Sequence, residues 1–147
     1  MLFSTEFLKD KTLAIIKPDA TSQGKALNIE KEIQYMGFTV WVRQEVQLSR
    51  EAAEEFYEEH KGQPFFEDLV TFMSSGPCVF LVLELPESPE NSVLEFRRVL
   101  GSTDPEKASE GTLRALFATS KSRNAVHGSD SEKSATREIE FLGKLLK

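Results

Sequence analysis

Two histidines occur in the 147 residues, and one of them, His127, stands in the stretch NAVHGSDS, Asn124 to Ser131. An apolar pair, Ala125 and Val126, precedes it, and Ser129, Asp130 and Ser131 follow. An imidazole at the end of a short apolar segment, where a helix is about to begin, has two readings. It is a core histidine whose polar neighbours cap the helix, or it is a nucleophile or general base held at a sheet edge by a rigid element. A metal site does not fit. The second histidine, His60, lies in the acidic stretch EEHKG, and the single cysteine, Cys78, has no second thiol to join it.

Cations offer a second chemistry. Lys17 follows an apolar run directly in IIKPDA, as a surface charge or as a point charge aimed at a phosphate. Arg97, Arg98 and Arg114 lie around the polar stretch GSTDPEKASEGTLR, Gly101 to Arg114. In a chain of net charge -6, arginines around a long Ser/Thr/Gly loop suggest an anion pocket, although each alone suits a surface. Neither G-x-x-x-x-G-K-[ST] nor G-x-G-x-x-G occurs, and SQGK at Gly24 is no phosphate loop. A nucleotide would have to be held by another architecture. In QPFFEDL at least one of the two phenylalanines belongs to the core, while an exposed Phe65 could stack on a planar base.

The elements that must position these residues follow from hydrophobic period. Thr12 to Ile16 is a buried strand, stopped at Pro18. Ala26, Ile29, Ile33 and Met36 recur at helical spacing up to Gly37. Val40, Val42, Val46 and Leu48 alternate as one face of a strand. Ser49 caps REAAEEFYEEH, with Ala52, Ala53, Phe56 and Tyr57 inward and the glutamates as a solvated face. Pro64 opens the helix FFEDLVTFM, which Gly76-Pro77 ends. CVFLVLEL is a central strand with Cys78 as a buried, inert thiol. Val93, Phe96, Val99 and Leu100 mark another helix. Residues 101–114 are too irregular for a defined element; loops of that length are usually functional or disordered. NAVH is a short last strand, and SEKSATREIEFL a last helix, with Ala135, Ile139 and Leu142 inward and Ser129 with Glu132 as its capping box. With the helix pair and the last helix set aside, the order is βαββαβ. That predicts an α/β (α+β) ferredoxin-like fold: a four-stranded antiparallel sheet with helices on one side, plus additional helices.

At 39% apolar and 29% charged residues the chain is globular. Its length suits one domain, expected over residues 12–147 after an N-terminal segment 1–11. The negative charge argues against nucleic acid or an anionic membrane as partner. No apolar run reaches the about 18 residues that a membrane helix needs, and the first residues lack the pattern of a secretory signal. A reducing compartment, the cytoplasm, is expected, with ciliary or cytoskeletal association left open.

TLAIIKPDA, FYEEHKGQPFFEDLVTFMSSGP, GTLR, and RNAVHGSDS with the following REI occur in one order between Thr12 and Phe141. Together they resemble the nucleoside diphosphate kinase family. The resemblance implies transfer of a γ-phosphoryl group from a nucleoside triphosphate to a nucleoside diphosphate in two steps. His127 would take the group and then pass it on, with ping-pong kinetics. Lys17 would reach phosphate and sugar hydroxyl; Arg97, Thr103 and Arg114 would hold the phosphates; Asn124 would bind the ribose. Tyr57 would lie close to His127, and Glu138 and Ser129 would orient it. Phe65 and Leu69 would sandwich the base, giving broad base specificity. Mg²⁺ is expected as cofactor, carried mainly by nucleotide and water, with Asp130 nearby. ATP and other nucleoside di- and triphosphates are the implied partners.

Four departures stand against the family pattern: Glu110 before GTLR where proline is common, a longer LPESPENS segment, Ala20 where KPDG is common, and only nine residues after Glu138. They suggest a divergent branch, or a domain of a larger protein. On that view the family's hexamer is in doubt. The alternative function is then a low-activity nucleotide-binding or scaffold module of a multidomain, for example ciliary, protein. A phosphohistidine relay to protein partners is a third candidate.

Overall fold

The computed structural model describes residues 3–147. Twelve helices and strands follow in order: α1 Thr5–Leu8, β1 Thr12–Ile16, α2 Pro18–Thr21, α3 Ala26–Tyr35, β2 Thr39–Gln47, α4 Arg50–Phe56, α5 Phe66–Met73, β3 Pro77–Glu84, α6 Ser92–Leu100, α7 Leu113–Phe117, β4 Val126–Gly128 and α8 Glu132–Leu145. The strands form one antiparallel sheet in the order β2-β3-β1-β4. This is the expected ferredoxin-like arrangement.

The sheet is covered on both faces, which corrects the expectation of helices on one side. Leu13 and Ile15 of β1 join Phe80 and Val82 of β3 in one cluster, under α4, α5 and α8. Ala14 and Ile16 join Val79, Leu81 and Leu83 in the other, under α3, α6 and α7. Alternate residues of a strand point to opposite faces, so two-sided cover requires an unbroken apolar run. That is why β1 is buried at every position and β3 at all but its ends. The helix pair and the last helix, set aside in counting βαββαβ, form the second layer. The edge strand β2 instead alternates between exposed and half-buried residues. Its register against β3 shifts between Val40 and Val42, a β-bulge at Trp41. Phe3, Phe7 and Leu8 lie against the first cluster, so these residues ahead of β1 pack on the domain.

The last helix starts later than expected. Ser131, not Ser129, is its N-cap, accepting from the Ser134 N–H. Ser129 is fully buried and turned toward other partners. The stretch 101–114, predicted irregular, contains a single 3-10 turn at Pro105–Lys107 and the start of α7, which Thr112 caps by accepting from the Ala115 N–H.

Candidate active site

β4 is only three residues long, and it pairs with β1 so that His127 lies opposite Ile15 and Val126 opposite Ile16. A strand this short is held by its neighbours. Gly128 allows it to sit tightly on α6: a Cβ there would meet Leu100 Cδ2 at 2.9 Å and the Phe96 ring at 3.0 Å. The Ser129 N–H continues the pairing, donating to the Leu13 carbonyl at 3.1 Å.

His127 is gripped on one side. Its Nε2 lies 3.0 Å from Glu138 Oε1, and the Ser129 hydroxyl donates to the same oxygen at 2.7 Å. Glu138 is buried, on the inner face of α8. A carboxylate beside Nε2 fixes the tautomer with the proton on that nitrogen, and leaves Nδ1 with a free lone pair. The Phe56 ring packs edge-on against the imidazole at 5.6 Å. A cavity of about 100 Å³ opens here, lined by His127, Glu138, Tyr57, His60, Asp130 and Arg137 among others. Tyr57 is buried, which raises its hydroxyl pKa above the ordinary value.

Lys17 follows β1, as N-cap of α2, and its ammonium is almost fully buried. It donates to Asn124 Oδ1 at 2.8 Å, and the Asn124 amide nitrogen donates to the Lys121 and Thr103 carbonyls at 3.0 and 3.4 Å. Burial first, then the Arg114 charge, lowers the Lys17 pKa to about 8. Arg114, on α7, donates to the carbonyls of Gly101 and Val126 at 3.1 and 2.9 Å. Its Nε has no partner among the described residues, and burial followed by the Arg97 charge lowers its pKa to about 10. Arg97 itself is exposed at the end of α6. A hydrogen bond from Ser134 holds the Asp130 carboxyl below its ordinary range; burial opposes it, and the Arg97 charge adds a lesser lowering.

Cations driven into partial burial, with depressed pKa values and hydrogen bonds spent on orientation, suit an anionic ligand that restores their charge partners. Of the two phenylalanines, Phe66 is core and Phe65 is 49% exposed. Leu69, one turn on in α5, is half-buried against the first cluster. Arg98, named with Arg97 and Arg114, is exposed and donates to Glu95 Oε2 at 2.8 Å instead. The other site residues named from the sequence fall into three linked groups. His127, Glu138, Ser129 and Tyr57 surround the imidazole, with Asp130 on the cavity wall. Lys17, Asn124, Thr103, Arg114 and Arg97 form the cationic side. Phe65, exposed, and Leu69, half-buried, form an apolar step. Glu110 is exposed in the turn before α7.

Two residues given no role in the sequence are also here. His60 stands between the Tyr57 ring at 6.4 Å and the Phe65 ring at 5.3 Å, and lines the cavity with His127. Asp19 accepts the Ala125 N–H at 3.0 Å. The signals were available: His60 is the second of two histidines, three residues after Tyr57, and Asp19 stands two after Lys17.

An imidazole with one nitrogen tied down, and buried cations held by hydrogen bonds on the same ferredoxin-like sheet, suit phosphoryl transfer, the chemistry of a phosphotransferase. Comparison with known proteins narrows it. The family model described as nucleoside diphosphate kinase matches residues 10–144. A nucleoside diphosphate kinase of Campylobacter jejuni (strain 81-176) is 50% identical over 135 residues, 92% of this chain and 96% of that protein. One from Actinobacillus pleuropneumoniae (strain L20) is 47% identical, over 90% of this chain and 93% of that one. The crystal structure of the Aquifex aeolicus nucleoside diphosphate kinase superposes with a TM-score of 0.84 at 41% identity, covering 90% of this chain and 93% of that one. That of Encephalitozoon cuniculi does so at 0.83 and 30%, covering 90% and 88%. The chain belongs to the nucleoside diphosphate kinase family.

Proposed function

We propose that this nucleoside diphosphate kinase works through a phosphohistidine formed on Nδ1 of His127. The observation that carries the proposal is the Glu138–Ser129 grip on Nε2, which leaves Nδ1 as the available nucleophile. In the first step Nδ1 attacks the γ-phosphorus of a nucleoside triphosphate. The bond from that phosphorus to the β–γ bridging oxygen breaks, and the diphosphate leaves. The Nε2 proton stays in place, and the carboxylate of Glu138 balances the positive charge that the ring acquires. In the second step a different nucleoside diphosphate takes the group back by the reverse displacement.

The remaining roles are proposed from placement. Lys17 and Asn124 form one hydrogen-bonded unit for ribose and phosphate oxygens. Arg97, Thr103 and Arg114 hold the phosphates, so that catalysis is mainly positioning and charge stabilisation. Phe65 and Leu69 take the base by contact with its flat face, which every base has. Among the described residues no group of three or more His, Cys, Asp or Glu side chains could hold a metal ion. The cavity wall offers Asp130 to a cation, which fits a hard ion that arrives on the nucleotide and keeps its waters. Mg²⁺ held in that way beside Asp130 would supply positive charge to offset that of the phosphates.

No helix of the described residues is long and apolar enough to cross a membrane; we place the enzyme in the cytoplasm, with nucleotides and not nucleic acid as its partners. Light scattering decides between a monomer and a homo-oligomer. The scaffold-module alternative is not favoured, because the match to named kinases spans nearly their whole length. The test uses γ-labelled ATP with Mg²⁺, then unlabelled GDP, on the wild type and on His127→Ala. Expected are an acid-labile label on the wild type, its removal as GTP, and neither on the variant. A wild type that binds nucleotide but never takes up label refutes the proposal.

A further inference from the structure

Ala125 is one of two non-glycine residues with positive φ among the described residues, at 74°. The Val126 N–H donates back to the Asn124 carbonyl at 2.9 Å. This is a three-residue turn with a left-handed centre, rare and strained for an alanine. Its location is what makes the strain matter. Asn124 precedes the turn and carries the amide that binds Lys17; Val126 follows it and begins the strand that carries His127.

Three contacts from one short segment hold the turn. The Lys17 N–H donates to the Ala125 carbonyl at 2.9 Å, and the Lys17 ammonium donates to Asn124 Oδ1 at 2.8 Å. Asp19 Oδ2 accepts the Ala125 N–H at 3.0 Å, across 106 positions of sequence. Asp19 lies in the first turn of α2, where a carboxylate usually serves its own helix. Here it reaches out to the strained peptide instead. Its other oxygen, Oδ1, is buried with no partner among the described residues. A carboxylate in that position binds an N–H more strongly than a neutral acceptor does.

We infer that Asp19 is a positioning residue of phosphoryl transfer: it holds the Ala125 turn in its left-handed form, and through that turn sets Asn124 and His127 in place. Without it, the peptide relaxes toward an ordinary conformation and the flanking residues move with it. The inference rests on the proposed roles of His127 and Asn124.

The experiment compares wild type, Asp19→Ala, Asp19→Asn, Ala125→Gly and the double variant Asp19→Ala/Ala125→Gly. The rate of acid-labile labelling from saturating γ-labelled ATP with Mg²⁺ is measured well below the pKa of Lys17, so that its charge is the same in all. Asp19→Ala is expected to slow labelling about tenfold to a hundredfold, the effect of a misplaced group. Asp19→Asn, which keeps an acceptor oxygen, loses less. In the double variant, glycine adopts the turn unaided, so most of the rate returns although the carboxylate is still missing. A role in general stability would not produce that recovery. Normal labelling by Asp19→Ala, or a double variant no faster than Asp19→Ala, overturns the inference. Hydrogen exchange of the Ala125 amide gives a readout free of catalysis: protected in the wild type, exposed in Asp19→Ala. If the wild type takes up no label, the reading of His127 has failed. Exchange still decides whether Asp19 holds the turn, and an Ala125 amide equally protected in Asp19→Ala overturns the inference.

Discussion

Lys17→Met separates what this site costs in stability from what it contributes to activity. The wild-type ammonium is buried, and its pKa falls from 10.5 to about 8, chiefly through burial and then through Arg114, with Asp19 opposing. At 1.36 kcal/mol per pH unit, keeping that lysine charged in the folded state costs about 3 kcal/mol near neutral pH. Methionine fills similar space without charge and removes the cost. It also leaves Asn124 Oδ1 without its donor, a loss of about 1–3 kcal/mol. The variant is therefore expected to be as stable as the wild type or up to about 2 kcal/mol more so, while turnover falls at least about a hundredfold for want of a charge on the phosphates. The pH dependence has a definite sign. Lys17 has a folded pKa below its unfolded one, so the wild-type penalty is complete below the folded value of about 8. Above it the folded lysine loses its proton while the unfolded one still holds it. Wild-type stability then rises relative to the variant by about 1.4 kcal/mol per pH unit, up to the unfolded pKa. Urea unfolding without nucleotide, near neutrality and near the unfolded lysine pKa, measures both quantities, and coupled ATP/GDP turnover measures the third. A variant less stable than wild type by more than about 1 kcal/mol near neutral pH would refute the reasoning, as would a stability difference that does not change with pH.

Phe65→Ala should leave stability within about 0.5 kcal/mol, because the ring is 49% exposed. Stacking is worth about 1–3 kcal/mol per base, so nucleotide KM should rise about fivefold to a hundredfold, for purines and pyrimidines alike; a change confined to one base would argue for edge recognition. Glu138→Gln keeps an oxygen near Nε2 but removes the charge that balances the ring, so kcat should fall about tenfold or more with KM little changed. Steady-state kinetics that show the loss mainly in KM would count against its orienting role. Gly128→Ala places a methyl 2.9 Å from Leu100 Cδ2 and 3.0 Å from the Phe96 ring. It should destabilise by about 1–3 kcal/mol through overpacking, seen as a lower thermal midpoint; an unchanged midpoint would mean that β4 does not sit tightly on α6.

What local chemistry specifies could be read from the chain alone. The unbroken apolar runs of β1 and β3, the alternation of β2 and the helical stripes at Ile29 and Ile33 or Phe96 and Leu100 are periodic, and period is a property of a few neighbouring residues. The four-stranded antiparallel sheet was expected from the βαββαβ order of elements. Tertiary structure decided the rest. Ser129 and Ser131 are equivalent as local caps. Ser129 turns inward because Glu138 and Leu13 meet it there, and Ser131 is left to cap α8. The second helical layer could not be inferred from a topology count that ignored it, although the fully apolar strands already required it. Which imidazole nitrogen is free depends on Glu138, eleven positions away and on the next helix. The depressed pKa of Lys17, its bond to Asn124 across 107 positions and the hold of Asp19 on Ala125 exist only once β1 and β4 are paired. Burial and long-range hydrogen bonds depend on the three-dimensional arrangement of groups distant in sequence, and no local pattern of residues encodes them.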